Sequence, residues 1–179
     1  MTIKVLVSCD SERTDFIKCI KTICDESKEE LECHFIPNEP APIKEPDRLN
    51  RMLSLVGESN IIFMDLTPKL FPLNEKEVYL TNPGVLIEYG VLAASAHYYE
   101  RLYLFCEDTV SRSLLHPYFI KTVQPYSRDK LNDKKASCSL RRQVKDIIND
   151  YKNRLPEMVR KLQEENEAYE AYTKVLKKR

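Results

Sequence analysis

The residue best placed to do chemistry is Glu88, within Val85-Leu86-Ile87-Glu88-Tyr89-Gly90-Val91-Leu92-Ala93-Ala94. Apolar residues occur at nearly every angle around this predicted helix, so the pattern predicts a buried helix carrying one acid. An ionised carboxylate in such a place is costly unless a cation, a hydrogen-bond donor or a wet cleft receives it. The plain reading is an ion pair with a neighbouring element. The functional reading is a carboxylate held for catalysis. Gly84, Glu88, Val91 and Ser95 share one face, which leaves space one turn before the acid. Asn82 and Pro83 open the helix as cap and first helical residue. The free backbone N–H groups at that end suit a phosphate or a carbonyl.

Asp65 is the second acid of interest. It follows the apolar run Asn60–Met64 and precedes Leu66-Thr67. An Asp there either caps the following turn or hydrogen-bonds a sugar hydroxyl or an attacking water. The segment Ser8, Cys9, Asp10, Ser11 ends another apolar run and could line the same rim. Cys9 has no basic partner nearby in sequence to make it a nucleophile. His34, His97 and His116 are scattered and no CxxC pair occurs, so no metal is expected.

The elements that must position these residues alternate. Strands are expected at Ile3–Ser8, Leu31–Ile36, Asn60–Met64, Arg101–Cys106 and Tyr118–Val123. Helices are expected after Ser11 and Asp47, from Pro83 onward, and as a short piece before the last strand. This order predicts a doubly wound, flavodoxin-like α/β domain with a five-stranded parallel sheet and helices on both faces. In that architecture ligands bind beyond the carboxyl ends of the strands, where Ser8–Ser11, Asp65–Thr67 and Asn82–Gly84 converge. The stretch Lys69–Thr81 reads as a mobile surface loop. Neither GxGxxG nor GxxxxGK[ST] occurs.

Taken together, Ser59-Asn60-Ile61-Ile62-Phe63-Met64-Asp65-Leu66-Thr67 and Thr81-Asn82-Pro83-Gly84-Val85-Leu86-Ile87-Glu88-Tyr89-Gly90 resemble the core motifs of the TIR-like and nucleoside 2-deoxyribosyltransferase-like superfamily. Its members carry a strand ending in Asp-Leu-Thr and a Pro-Asn-Val-x-x-Glu-x-Gly helix. Here Asn82 precedes Pro83 and Gly84 follows it, which departs from that pattern. The resemblance implies cleavage of an N-glycosidic bond in a nucleotide or nucleoside, either NAD⁺ hydrolase-like or nucleoside deoxyribosyltransferase-like, with no cofactor and with NAD⁺ as the first substrate to try. It implies Glu88 and Asp65 as catalytic residues, and Ser8, Cys9, Asp10, Ser11, Thr67, Asn82, Pro83 and Gly84 as substrate-binding residues. A non-catalytic nucleotide-binding or signalling scaffold module is the alternative. A receiver-like phosphoacceptor at Asp65 is disfavoured, because only Asp10 follows the first strand and Gln124-Pro125 stands where a Lys would.

Composition sets the outer bounds. The 179 residues carry 28 basic and 28 acidic side chains, a formal net charge of +0, so no global field favours nucleic acid or a charged membrane. No apolar stretch is long enough to span a bilayer, and no signal peptide is apparent. Together with six cysteines mostly in apolar contexts, this predicts a reducing, cytoplasmic setting. Residues 1–126 form the expected α/β domain; 127–179 form a basic loop and C-terminal helices, one at Leu140–Tyr151 and another from Asn153, broken near Pro156. Leu155, Met158, Leu162, Glu165, Tyr169, Tyr172 and Leu176 fall at steps of three and four. They either lie on the domain or mediate homo-oligomer formation through 153–179.

Overall fold

The computed structural model describes residues 2–31, 33–36, 48–73, 76–108, 122–131 and 139–176. Two compact units divide the chain, residues 1–144 and 145–179. The first is an α/β unit of β1 (Ile3–Ser8), α1 (Thr14–Leu31), β2 (Cys33–Ile36), α2 (Arg48–Glu58), β3 (Ile61–Asp65), β4 (Lys69–Leu73), β5 (Lys76–Leu80), α3 (Pro83–Ala93), α4 (Ala96–Tyr99), β6 (Leu102–Glu107) and β7 (Val123–Tyr126). A 3-10 turn follows at Arg128–Lys130, and α5 (Ser139–Leu176) runs from the first unit into the second. No helix among the described residues is long and apolar enough to cross a membrane.

The main sheet has the order β2-β1-β3-β6-β7, with every adjacent pair parallel. From β1 the chain steps to one side for β2, then returns to the other side for β3, β6 and β7. The order therefore reverses between β1 and β3, the switch point at which such sheets open a crevice.

The pleat sends alternate residues to opposite faces. Leu6, Ile62, Met64, Leu104 and Cys106 cluster with Met52 and Val56 of α2 and Val85, Tyr89 and Leu92 of α3. On the other face Phe16 of α1 meets Phe105 and Tyr126 at ring centroids of 5.9 and 5.3 Å. Phe63 sits edge-on to Phe105 at 5.6 Å. Each of these fully buried side chains contributes about 1.5–3 kcal/mol.

Several expectations need correction. Lys69–Thr81 is not a plain loop: β4 and β5 form an antiparallel hairpin with Lys69 opposite Leu80 and Leu73 opposite Lys76. Its β-forming residues outweigh the interruption by Pro72, which an isolated two-stranded ribbon tolerates on an edge. Helix α3 is not buried all round, since Ile87 is 64% and Leu86 39% exposed. An apolar helix is buried only where other elements cover it. The last described strand is Val123–Tyr126, with Gln124-Pro125 inside it; among the described residues β7 pairs on one side only, where Pro is permitted. The expected strand at Tyr118–Val123 and the short helix before it fall mostly outside the described residues. Helix α1 starts at Thr14, so Ser11 lies too far ahead to be its cap. Finally, α5 is one helix with Pro156 inside it. Proline removes one N–H from the ladder, a loss that 38 residues of helix absorb.

Candidate functional site

The carboxyl ends of β1 and β3 deliver Ser8 and Asp65 to the switch point, and the pleat separates them. Ser8 is in register with Met64, so it shares the face covered by α2 and α3. There its hydroxyl donates to Glu88 Oε2. Ser8 is buried and Glu88 half-buried, and among the described residues Ser8 is the one hydrogen-bond donor to this carboxylate. Glu88, Ser8, Leu6, Met52, Leu55, Val56, Ile62 and Leu92 line a hollow of about 10 Å³, room for one water.

The mouth of α3 is fixed from below. Asn82 Oδ1 accepts the N–H of Gly84 at 2.8 Å, which caps the helix, while Asn82 Nδ2 donates to Asp10 Oδ2 at 2.7 Å. Asp10 also accepts the Glu12 N–H at 3.0 Å and holds Lys69 Nζ at 2.9 Å. One carboxylate thus joins the β1–α1 loop, the hairpin and the start of α3. Burial would raise the pKa of Asp10, but the donors from Glu12, Asn82 and Lys69 outweigh it and hold the value below 3.8. The hydrogen bond to Asp10 correspondingly raises that of Lys69.

Asp65 lies on the α1 face, opposite Glu88. Its Oδ1 accepts the Thr67 N–H at 3.0 Å and the Thr67 hydroxyl, and its Oδ2 accepts the Tyr126 hydroxyl at 2.8 Å. Arg13 Nε stands 3.9 Å from Oδ2, and Arg13 Nη1 donates to Glu107 Oε2 at 2.7 Å. Thr67 Oγ1 in turn accepts the Glu107 N–H at 2.9 Å. Burial at 2% exposure raises the Asp65 pKa, and the donors from Thr67 and Tyr126 work against that rise. Both Asp65 oxygens thus accept protein donors, Oδ1 from Thr67 and Oδ2 from Tyr126.

Cys9 lies near Asp65, Asp10 and Glu88. Burial, followed by those three carboxylates, pushes its thiol far up, the reverse of what a nucleophile requires. Thr67 is buried, Ser11 and Pro83 are exposed, and Gly84 is half-buried. The structure thus joins Ser8 to Glu88, joins Asp10 to Asn82 and, through it, to Gly84, and joins Asp65 to Thr67. Ser11 has no described bond to any of them. Sequence reading places Cys106–Asp108 and Pro125-Tyr126 at this rim but misses Arg13 and Lys69, whose partners lie tens of residues away and leave no local signature. No group of three or more His, Cys, Asp or Glu among the described residues is arranged to hold a metal. The chain matches no protein-family model and no curated protein.

Proposed function

We propose that this protein cleaves the N-glycosidic bond of a nucleotide or nucleoside, with Glu88 as the carboxylate that acts on the sugar. The observation that carries the reading is the Glu88 carboxylate beside the β1/β3 switch point, held through one oxygen by Ser8. The resemblance of the Asp65-Leu66-Thr67 and Glu88-Tyr89-Gly90 segments to the TIR-like and deoxyribosyltransferase-like superfamily supports it. Oε1 attacks the anomeric carbon, and the electrons of the breaking C–N bond leave with the base, which departs from NAD⁺ as neutral nicotinamide and from a neutral nucleoside as an anion that takes a proton from water. A second water then opens the sugar ester, restores the carboxylate and releases its proton to solvent. The positive charge that develops on the sugar is what a preorganised carboxylate stabilises. Asp10, Asn82 and Gly84 would meet the substrate at the α3 mouth, and NAD⁺ is the first substrate to test.

A second reading is a nucleotide-binding or scaffold module without turnover, and the water-sized hollow at Glu88 favours it. Purified protein incubated with NAD⁺ and a panel of deoxynucleosides separates the two. Released base, lost at least a hundredfold in Glu88→Gln with an unchanged circular dichroism spectrum, supports the enzyme. Release that survives Glu88→Gln removes Glu88 from the chemistry. Saturable nucleotide binding with no release identifies the module.

A further inference from the structure

Within the second unit, α5 carries Leu155, Met158, Leu162, Glu165, Tyr169 and Tyr172 at alternating steps of three and four. A strict 3.5-residue repeat keeps a seam aligned between two supercoiled helices, whereas a stripe on a lone straight helix drifts away from it. The seam is open to water: Met158 is 37%, Leu162 58%, Tyr169 71% and Tyr172 62% exposed. Earlier on the same helix Val144, Ile148 and Tyr151 are buried. The remaining faces are solvated and laced with i,i+4 ion pairs, Asp150–Arg154 at 2.8 Å, Glu157–Lys161 at 3.0 Å and Arg160–Glu164 at 2.7 Å. They leave the seam as the surface that seeks a partner.

We propose that residues 155–172 pair with the same residues of a second copy of this chain, in antiparallel orientation. Glu165 decides the direction. In a parallel pair Glu165 would face Glu165 of the second copy across the seam, two like charges in one layer. An antiparallel pair instead sets Leu155 against Tyr172, Met158 against Tyr169 and Leu162 against Glu165, each layer occurring twice by symmetry. In that register the hole that receives Glu165 is lined by the second copy's Met158, Lys161, Leu162 and Glu165. The Lys161 ammonium then lies beside the carboxylate and offsets the second copy's Glu165 in the same hole, a cation that the parallel layer of two Glu165 residues does not supply. The two-fold arrangement is isologous and closed, which limits assembly to a pair.

The test is sedimentation of the full chain across a concentration series. The weight-average mass should rise from 21.0 kDa toward twice that value. Leu162→Glu combined with Tyr169→Glu should remain monomeric throughout, and both sites are exposed enough to leave the first unit folded. Lys161→Glu should weaken association about tenfold by setting two acids together, and adding Glu165→Lys should restore it. A monomer at every concentration, or a dimer indifferent to the double substitution, overturns the proposal. A dimer unchanged by Lys161→Glu overturns the antiparallel register.

Discussion

Ser8, the last residue of β1, donates its hydroxyl hydrogen to Glu88 on the second turn of α3, a bond between residues 80 apart in sequence. It ties the carboxyl end of β1 to the one acid on an otherwise apolar helix. The bond engages Oε2, and Glu88 lines the hollow beside Ser8. Ser8 is therefore a positioning residue for the proposed chemistry.

Ser8→Ala tests that role. The methyl group fits the space of the hydroxymethyl, so the fold should persist, but Glu88 loses its donor. Base release should fall about tenfold to a hundredfold, mainly in kcat, because a misoriented carboxylate affects the transition state more than binding. Ser8→Thr, which keeps the hydroxyl, should recover part of the rate. Equal activity in Ser8→Ala and wild type would show that the bond does not position Glu88.

Asp10 supplies a pH dependence with a definite sign. Its folded pKa lies below the ordinary 3.8 because the donors from Glu12, Asn82 and Lys69 outweigh burial. A depressed folded value means the unfolded chain binds the proton more readily, so the stabilisation is complete above 3.8 and is lost as pH falls through the folded value. Asp10→Asn keeps the size but not the charge, and should cost about 1–2 kcal/mol near neutrality. Urea denaturation of both proteins from neutral to acid pH checks this. The gap should hold down to roughly pH 4 and close below it; a gap that stays constant into acid would assign it to shape and not to ionisation.

Lys69 anchors the hairpin to the domain. Its ammonium bridges Asp10 at 2.9 Å and Glu12 at 3.3 Å, and it is the first residue of β4. Lys69→Met should leave β1, β3 and β6 protected and speed amide exchange across residues 69–80. Hydrogen-exchange mass spectrometry resolves the two regions. Uniform exchange rates in both proteins would mean that the ribbon is held by its own pairing and by Thr81, whose hydroxyl donates to the Leu66 carbonyl at 2.7 Å.

The parts of this architecture that could be read in advance are those written locally. Ile3–Ser8 and the run ending at Asp65 announce buried strands by continuous apolar residues, and Asn82-Pro83 announces a capped helix start by side-chain chemistry alone. The parts that could not be read depend on pairing at a distance. Nothing near Arg13 indicates Glu107, 94 residues on, and nothing near Asp65 indicates Tyr126. The exposure of Ile87 was hidden for a related reason: its sequence records how apolar α3 is, not which side its neighbours leave uncovered. The face on which Asp65 lies was illegible too, because one residue of register decides between the α1 side and the Glu88 side.

That register separates the two acids experimentally. Asp65 holds the Tyr126 hydroxyl at 2.8 Å and both Thr67 donors on the α1 face, so its substitution should act through stability. Tyr126→Phe removes one donor and should cost about 1–2 kcal/mol. Asp65→Ala leaves Tyr126 and Thr67 without this acceptor inside the core and Arg13 with Glu107 alone, and should cost about 3–5 kcal/mol. Because the two side chains share one bond, the double variant should cost less than the sum, with a coupling of about 1–3 kcal/mol. Urea midpoints of the four proteins measure it. Base release should follow a different rule: per folded molecule, Tyr126→Phe should keep near-full activity while Glu88→Gln loses it. If Tyr126→Phe instead abolishes turnover while remaining folded, the Asp65 network belongs to the chemistry, and the two faces of the sheet act on one substrate.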